Sequence, residues 1–69
     1  MAEEKIANEW LIRRVAEALL KAKAPWTSWL RLSVSRRRYA WKQAVAVLLE
    51  LDYDVDGKLA ALPVSQRRR

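Results

Sequence analysis

The most informative segment of the chain is residues 3–23, which read EEKIANEWLIRRVAEALLKAK. The segment consists largely of strong helix formers and contains neither Gly nor Pro, so it predicts one helix over about residues 3–23. Pro25 ends this helix, because the residue before a proline is pushed away from helical angles. The apolar residues recur at helical spacing on one broad face: Ala7, Leu11, Ile12, Val15, Ala18, Leu19 and Ala22.

The opposite face of this predicted helix carries charges of alternating sign at four-residue intervals. Glu9, Arg13, Glu17 and Lys21 follow one another at this spacing. Acidic and basic side chains four residues apart are neighbours on a helix and stabilise it slightly. The pattern therefore favours a solvent-exposed face of paired charges.

The connector, residues 24–35, permits more than one structure. From Leu30 to Ser35 apolar and polar residues alternate, which is typical of a half-buried strand. An extended connector, or a helical turn started by Thr27 or Ser28, fits the same residues. Trp26 and Trp29 lie in this segment, and if the connector is exposed we expect both to be anchors for a partner, since Trp is frequent at interface hot spots.

A second helix is predicted over about residues 36–51, with Ser35 as its N-cap. Three arginines, Arg36, Arg37 and Arg38, occupy its first turn, where they oppose the helix dipole. A local rule broken in this way marks a candidate functional site. We expect these arginines and the neighbouring Tyr39 to contact a partner.

The sequence of residues 52–69 predicts a turn followed by a C-terminal tail. Asp56-Gly57 is a strong turn signal, and the polar, basic chain after Pro63 is expected to fray. Asp52, Asp54 and Asp56 form an acidic strip that is available to a basic partner. The role of the Arg67–Arg69 run is left open.

The composition indicates one small domain spanning residues 1–69, mainly α-helical, with two amphipathic helices and a short C-terminal turn segment. A chain of 69 residues buries too little surface to be very stable alone, and it has no Cys for disulfides. Pairing two chains would cover the wide apolar faces, so we expect a helical homodimer. Its core would comprise Leu11, Val15, Ala18, Leu19, Trp41, Val45 and Leu48.

The absence of His and Cys removes the commonest general base, the most reactive nucleophile and the usual zinc ligands. We therefore expect no enzyme, no cofactor and no metal site. The formal charge of +6 suits an acidic macromolecule. No apolar run approaches the ~20 residues that span a bilayer, so a cytoplasmic protein without membrane contact is expected.

The segment Leu30–Ser35 followed by a helix is similar to the strand and first helix of ribbon–helix–helix repressors. This resemblance implies a dimeric DNA-binding regulator. Arg31, Ser33 and Ser35 would face the bases, and Arg36 to Arg38 the phosphates.

The whole chain resembles the small phage-encoded quorum-sensing anti-activators. The likeness rests on its length, its Trp-rich and Cys-free composition, and the run from Ser35 to Trp41. It implies a compact helical dimer that inhibits a host protein, by covering the DNA-binding domain of a LuxR-type transcriptional activator. A type IV pilus assembly ATPase is a further implied target. This protein–protein inhibitor is the leading hypothesis, and DNA binding is the alternative.

Overall fold

The computed structural model describes residues 5–67, and it is mainly helical. Two α-helices, α1 (Glu9–Lys23) and α2 (Val34–Glu50), are flanked by two short strands, β1 (Ile6–Ala7) and β2 (Asp54–Val55). Because β1 precedes α1 and pairs with β2, which follows α2, the two helices run antiparallel. Single 3₁₀ turns cover Trp29–Arg31, Gly57–Leu59 and Val64–Gln66.

Helix α1 begins later than the sequence pattern suggested. Asn8 is its N-cap, and the Asn8 side chain accepts a hydrogen bond from the backbone N–H of Leu11 at 2.8 Å. An Asn at this position fixes the start of the helix, because its side-chain oxygen accepts a hydrogen bond from an N–H of the first turn that has no backbone acceptor. The expected helix over residues 5–8 is therefore wrong, and Ala7 belongs to β1; residues 3 and 4 lie outside the described range.

The connector contains no strand in the structure. Trp29–Arg31 forms a 3₁₀ turn, and α2 starts at Val34 with Ser33, rather than Ser35, as its N-cap. The hydroxyl of Ser33 accepts from the backbone N–H of Arg36 at 3.3 Å. The strand interpretation of Leu30–Ser35 is wrong: Leu32 is buried whereas Leu30 is exposed, so the alternating residues do not share a face.

The end of α2 is closed by a backbone motif that turns the chain into β2. The N–H of Tyr53 donates to the carbonyl of Leu48 at 2.9 Å, and that of Asp52 donates to Leu49 at 3.0 Å. This paired arrangement is a Schellman motif, which requires a left-handed residue after the helix. Asp52 is that residue, with φ of 64°.

The C-terminal segment forms the second layer of the fold. Leu62 is buried, and the indole N–H of Trp41 donates to the carbonyl of Leu59 at 2.7 Å. The chain after Pro63 forms a 3₁₀ turn that docks through Gln66, so the expectation of a frayed tail is wrong for residues 64–67. The two helices and this segment enclose the core: Ile12, Ala16, Trp29, Leu32, Ala40, Trp41, Ala44, Val45, Leu48 and Leu62.

The expected dimer core is divided by this arrangement. Trp41, Val45 and Leu48 are buried within the single chain and are not available to a second copy. On α1, Leu11, Val15 and Leu19 are half-buried and Ala18 is exposed. The C-terminal segment covers the apolar face of α2 that carries Trp41 and Leu48, so no second chain is needed to bury that face.

Replacing Asp52 by Gly should stabilise the protein, because Gly adopts a positive φ without the steric cost that an L side chain meets. We expect Asp52→Gly to raise the free energy of unfolding by about 0.5–1 kcal/mol in urea denaturation followed by circular dichroism. Asp54→Gly is the matched control, since Asp54 lies in extended β2 and its replacement should lower stability. Equal effects of the two substitutions would contradict this role of Asp52.

Candidate interaction surface

Arg37 is a structural residue and not a surface contact. Only 1% of it is exposed, and among the described residues its guanidinium donates hydrogen bonds to the backbone carbonyls of Trp29, Leu30 and Gln66. The distances are 3.0 Å to Trp29 O, 2.8 Å to Leu30 O and 3.0 Å to Gln66 O. Arg37 precedes Trp41 by one helical turn, so it shares the buried face of α2. The expectation that it contacts a partner is wrong.

Trp29 is also buried, with 4% exposure, so its expected role as an exposed anchor is wrong. Its ring lies 6.4 Å from that of Trp41 at 44°, a tilted aromatic pair. Its indole N–H donates to the side-chain oxygen of Gln66 at 3.1 Å. Trp26, three residues earlier, is 81% exposed and stays available as an anchor.

Glu9 anchors the C-terminal segment to the first turn of α1. Its carboxylate accepts hydrogen bonds from the amide of Gln66 at 2.7 Å and the hydroxyl of Ser65 at 2.9 Å. These two bonds, in that order of importance, lower the pKa of Glu9, and Arg13 adds a smaller effect in the same direction against the opposing desolvation. Within the predicted charge ladder, Arg13 pairs with Glu17 at 2.7 Å.

An apolar groove separates the last turn of α1 from the first half of α2. It has a volume of about 410 Å³. Most of its surface is apolar, Lys23 and Arg36 add charge, and Tyr39 is 61% exposed. The lining residues are Leu19, Leu20, Lys23, Ala24, Ser35, Arg36, Tyr39, Ala40 and Gln43. The structure thus brings Arg36 and Tyr39, both expected contacts, to one surface.

The end of the helical pair that carries the connector is strongly basic. Residues 18–49 contain seven Lys or Arg and no Asp or Glu. Because the helices are antiparallel, the last turn of α1 and the first turn of α2 meet here, and their cations lie at one end of the molecule. We call this surface the basic end and define it by its exposed residues: Lys21, Lys23, Trp26, Leu30, Arg31, Arg36 and Arg38.

The opposite end of the helical pair is acidic. Glu50, Asp52, Asp54 and Asp56 are all exposed and follow one another around the end of α2 and β2. Asp56 has a local role as well, since its carboxylate accepts from the backbone N–H of Lys58 at 2.8 Å. These four acids therefore lie at the other end of α2 from the basic end, together with Lys58 and with Lys5, whose Nζ donates to Leu51 O at 3.5 Å.

Sequence reasoning missed part of this surface. Leu30 is 66% exposed, although its place in the alternating pattern suggested burial. Lys21 and Lys23 lie on α1, so the pattern of neither helix alone joins them to the arginines of α2. The acid-free stretch from residue 18 to residue 49 is the signal that would have grouped them.

Over residues 5–67, no helix combines the length and apolar character needed to cross a membrane, and acidic side chains do not gather in threes around a possible metal position. Comparison with protein-family models, with curated proteins and with solved structures finds no match for this chain. The assignment of function therefore depends on the surfaces described above.

Removing the Arg37 guanidinium should destabilise the fold strongly. Arg37→Met removes the donor from three backbone carbonyls, of which Trp29 O keeps the N–H of Leu32 at 3.2 Å as a second partner, and each acceptor left unsatisfied costs about 1–3 kcal/mol. We expect a loss of at least about 3 kcal/mol in urea denaturation. Arg38→Met, next to it but exposed, should change stability by less than about 0.5 kcal/mol. Similar values for both variants would refute the structural role of Arg37.

The lowered pKa of Glu9 makes the docking of the C-terminal segment sensitive to acid. The stabilisation by this carboxylate is complete above its ordinary pKa of 4.5 and is lost as the pH falls through the lower folded-state value. Wild-type protein should therefore be more stable than Glu9→Gln at pH 7, and the difference should shrink below pH 4.5. Unfolding free energies of both proteins from pH 7 downward test this. A difference that is constant with pH would rule it out.

Proposed function

We propose that this chain is a non-enzymatic inhibitor that binds an acidic surface of a regulatory protein and occludes it. The observation that carries the proposal is the basic end, where exposed cations lie beside an exposed Trp26 and an exposed Leu30. Large aromatic side chains and arginines supply most of the binding energy in protein interfaces. The lack of any acid from residue 18 to residue 49 gives this end a single sign of charge.

Each group at this end has a role in such an interface. Trp26 is 81% exposed and supplies a large apolar area when a partner covers it. The guanidinium groups of Arg31 and Arg38 can form paired hydrogen bonds to carboxylates. Both lie outside the groove, whereas Arg36 and Tyr39 line it. We therefore place the central contacts at Trp26 and Arg38, with Arg31 and Tyr39 beside them.

A protein target is favoured over nucleic acid by the shape of the connector. The ribbon–helix–helix reading requires a strand that carries Arg31, Ser33 and Ser35 on one side, and residues 28–35 contain none. Leu30 and the aliphatic groove add apolar surface that suits protein side chains better than phosphates. Nucleic-acid binding stays open to test, because phosphate contacts would use the same cations.

The specific targets come from the resemblance to quorum-sensing anti-activators. We propose a cytoplasmic homodimer whose target is a LuxR-type activator or a pilus assembly ATPase. A DNA-binding domain is usually basic overall, so the basic end would meet an acidic patch on it, and the acidic end, with Asp52, Asp54 and Asp56, would face its basic surface. Complementarity between patches decides such contacts more than net charge does.

A tagged pull-down from nuclease-treated extract of the native cells tests the proposal. The wild-type chain should retain one stoichiometric protein, and Trp26→Ala combined with Arg38→Glu should lose it. Removal of a hot-spot aromatic typically costs 2 kcal/mol or more, so the Kd of the isolated pair should rise by about 30-fold or more. Isothermal titration calorimetry on the purified pair measures this.

Leu49→Ala is the matched control, because Leu49 is 54% exposed on α2 but lies outside the basic end. This variant should retain the target. The proposal fails if the double variant binds as well as wild type. It also fails if only nucleic acid is captured and nuclease removes it, in which case the DNA-binding hypothesis replaces it.

A further inference from the structure

A channel runs along the outer face of α1 and joins the basic end through Lys21 and Leu30. We infer that this channel binds an extended acidic segment of the target protein, with two carboxylates three residues apart. The inference deepens the proposed function, since it rests on a protein target and describes the segment of that target which is recognised. We call this surface the α1 channel and define it by the residues along it: Trp10, Arg13, Arg14, Glu17, Lys21 and Leu30.

The α1 channel consists of two depressions that share a wall. One, with a volume of about 280 Å³, lies between α1 and the connector. The other, with a volume of about 290 Å³, lies beside Trp10. Arg13 and Glu17 line both, so the two depressions are contiguous and follow α1 from Lys21 to Trp10. A helix covers about 16 Å between these two positions.

Exposed apolar side chains lie at both ends of the channel. Trp10 is 63% exposed at one end, and Leu30 is 66% exposed at the end that joins the basic end. The guanidinium of Arg14 lies over the Trp10 ring, 5.0 Å from its centroid, and this cation–π contact orders the indole before a partner binds. Ordering a contact residue in advance reduces the entropy that binding costs. Trp10 is therefore suited to anchor one end of a bound segment.

The cations of the channel are spaced for two separate carboxylates. Arg14 and Lys21 are both exposed and lie two helical turns apart, which is about 10 Å on one face of α1. Over residues 5–67 the one ion pair joins Arg13 to Glu17, so neither Arg14 nor Lys21 has a carboxylate partner there. Hydrogen bonds from charged donors to carboxylates are stronger than those between neutral groups. Two acidic side chains about 10 Å apart would therefore satisfy both cations.

An extended peptide matches both this spacing and the size of the depressions. In the polyproline II conformation side chains three residues apart project to the same side of the chain, about 9 Å from each other. Carboxylates at such positions meet Arg14 and Lys21 together, and the apolar residues that flank them reach Trp10 and Leu30. A helix is about 10 Å across with its side chains, so it would rest on the rim of depressions of this volume.

The position of Glu17 favours a peptide over nucleic acid. Glu17 lies between Arg14 and Lys21 on α1, and its carboxylate accepts a 2.7 Å hydrogen bond from Arg13. A nucleic acid carries a phosphate at every nucleotide, so its backbone would bring negative charge against Glu17. A peptide avoids this repulsion when the two residues between its acidic positions are neutral.

Titration of the isotope-labelled full chain with a synthetic peptide, followed by NMR, tests the inference. The probe is a capped peptide of about six residues, with leucine at both ends, aspartate at the second and fifth positions and serine between them. The indole signal of Trp10 should shift together with the amides of Arg14 and Lys21, whereas that of the buried Trp41 should not. A peptide of the same composition with adjacent aspartates should bind about threefold more weakly.

Three variants separate this contact from general attraction between opposite charges. Trp10→Ala and Arg14→Glu should each raise the Kd of the spaced peptide by about fivefold or more. Lys42→Glu is the matched control, since it makes the same change of charge at an exposed position of α2 and should leave the Kd within about twofold. All three residues are exposed, so circular dichroism should show that each variant is folded.

The target protein captured through the basic end gives a second readout by isothermal titration calorimetry. Trp10→Ala and Arg14→Glu should each raise its Kd by about fivefold or more, as they do for the peptide. If these variants bind the target as well as wild type while Trp26→Ala with Arg38→Glu loses it, the inference fails and the proposed function stands. If neither set of substitutions changes target binding, both fail.

The peptide experiment can also overturn the inference without the target. It does so if the two peptides bind equally well, or if the shifted signals belong to Trp26 and Arg38 while Trp10 is unchanged. An oligothymidylate that displaces the spaced peptide from Trp10 and binds more tightly would assign the channel to nucleic acid instead. Loss of self-association by Trp10→Ala in sedimentation equilibrium would assign it to a second copy of the chain.

Discussion

The fold depends on the burial of one guanidinium group. A buried arginine is tolerable only when hydrogen bonds replace the water that it loses. Arg37 of α2 receives this compensation from carbonyls in two separate segments, Trp29 and Leu30 in the connector and Gln66 in the C-terminal segment. Since single 3₁₀ turns leave most backbone carbonyls of these segments without a helical partner, the benefit is mutual. One side chain therefore fixes the position of both segments against the helices.

This arrangement decides which surfaces are free. The C-terminal segment covers the face of α2 that carries Trp41 and Leu48, so that face cannot meet another molecule. The apolar groove and the basic end stay open, and both carry exposed aromatic or apolar residues. Burial of Arg37 thus removes one cation from the surface, while Arg36 and Arg38 on either side of it stay exposed. Three adjacent arginines of identical chemistry have different roles because the helix rotates them to different faces.

The helices could be predicted from sequence, whereas the segments that dock on them could not. Helical spacing located α1 and α2 because periodicity is a local property, and Pro25 located the end of α1. The burial of Arg37 was also within reach, since it precedes Trp41 and Val45 by whole turns and so belongs to their face. Arg37 was nevertheless predicted to lie at the surface, because arginine is charged and rarely buried. The positions of Trp29 and Gln66 follow from contacts across tens of residues, which no local pattern encodes.

The parallel pairing of β1 with β2 has a consequence for the order of folding. Ile6 pairs with Asp54, 48 positions along the chain, whereas the two helices are joined by a connector of ten residues. Closing a long loop before its contacts form is slow, so the helical pair assembles first and the strand pair closes last. In the native state the same pair is the first to open, because only two residues on each side hold it. Amide hydrogen exchange is therefore expected to be faster at β1 and β2 than around Trp41.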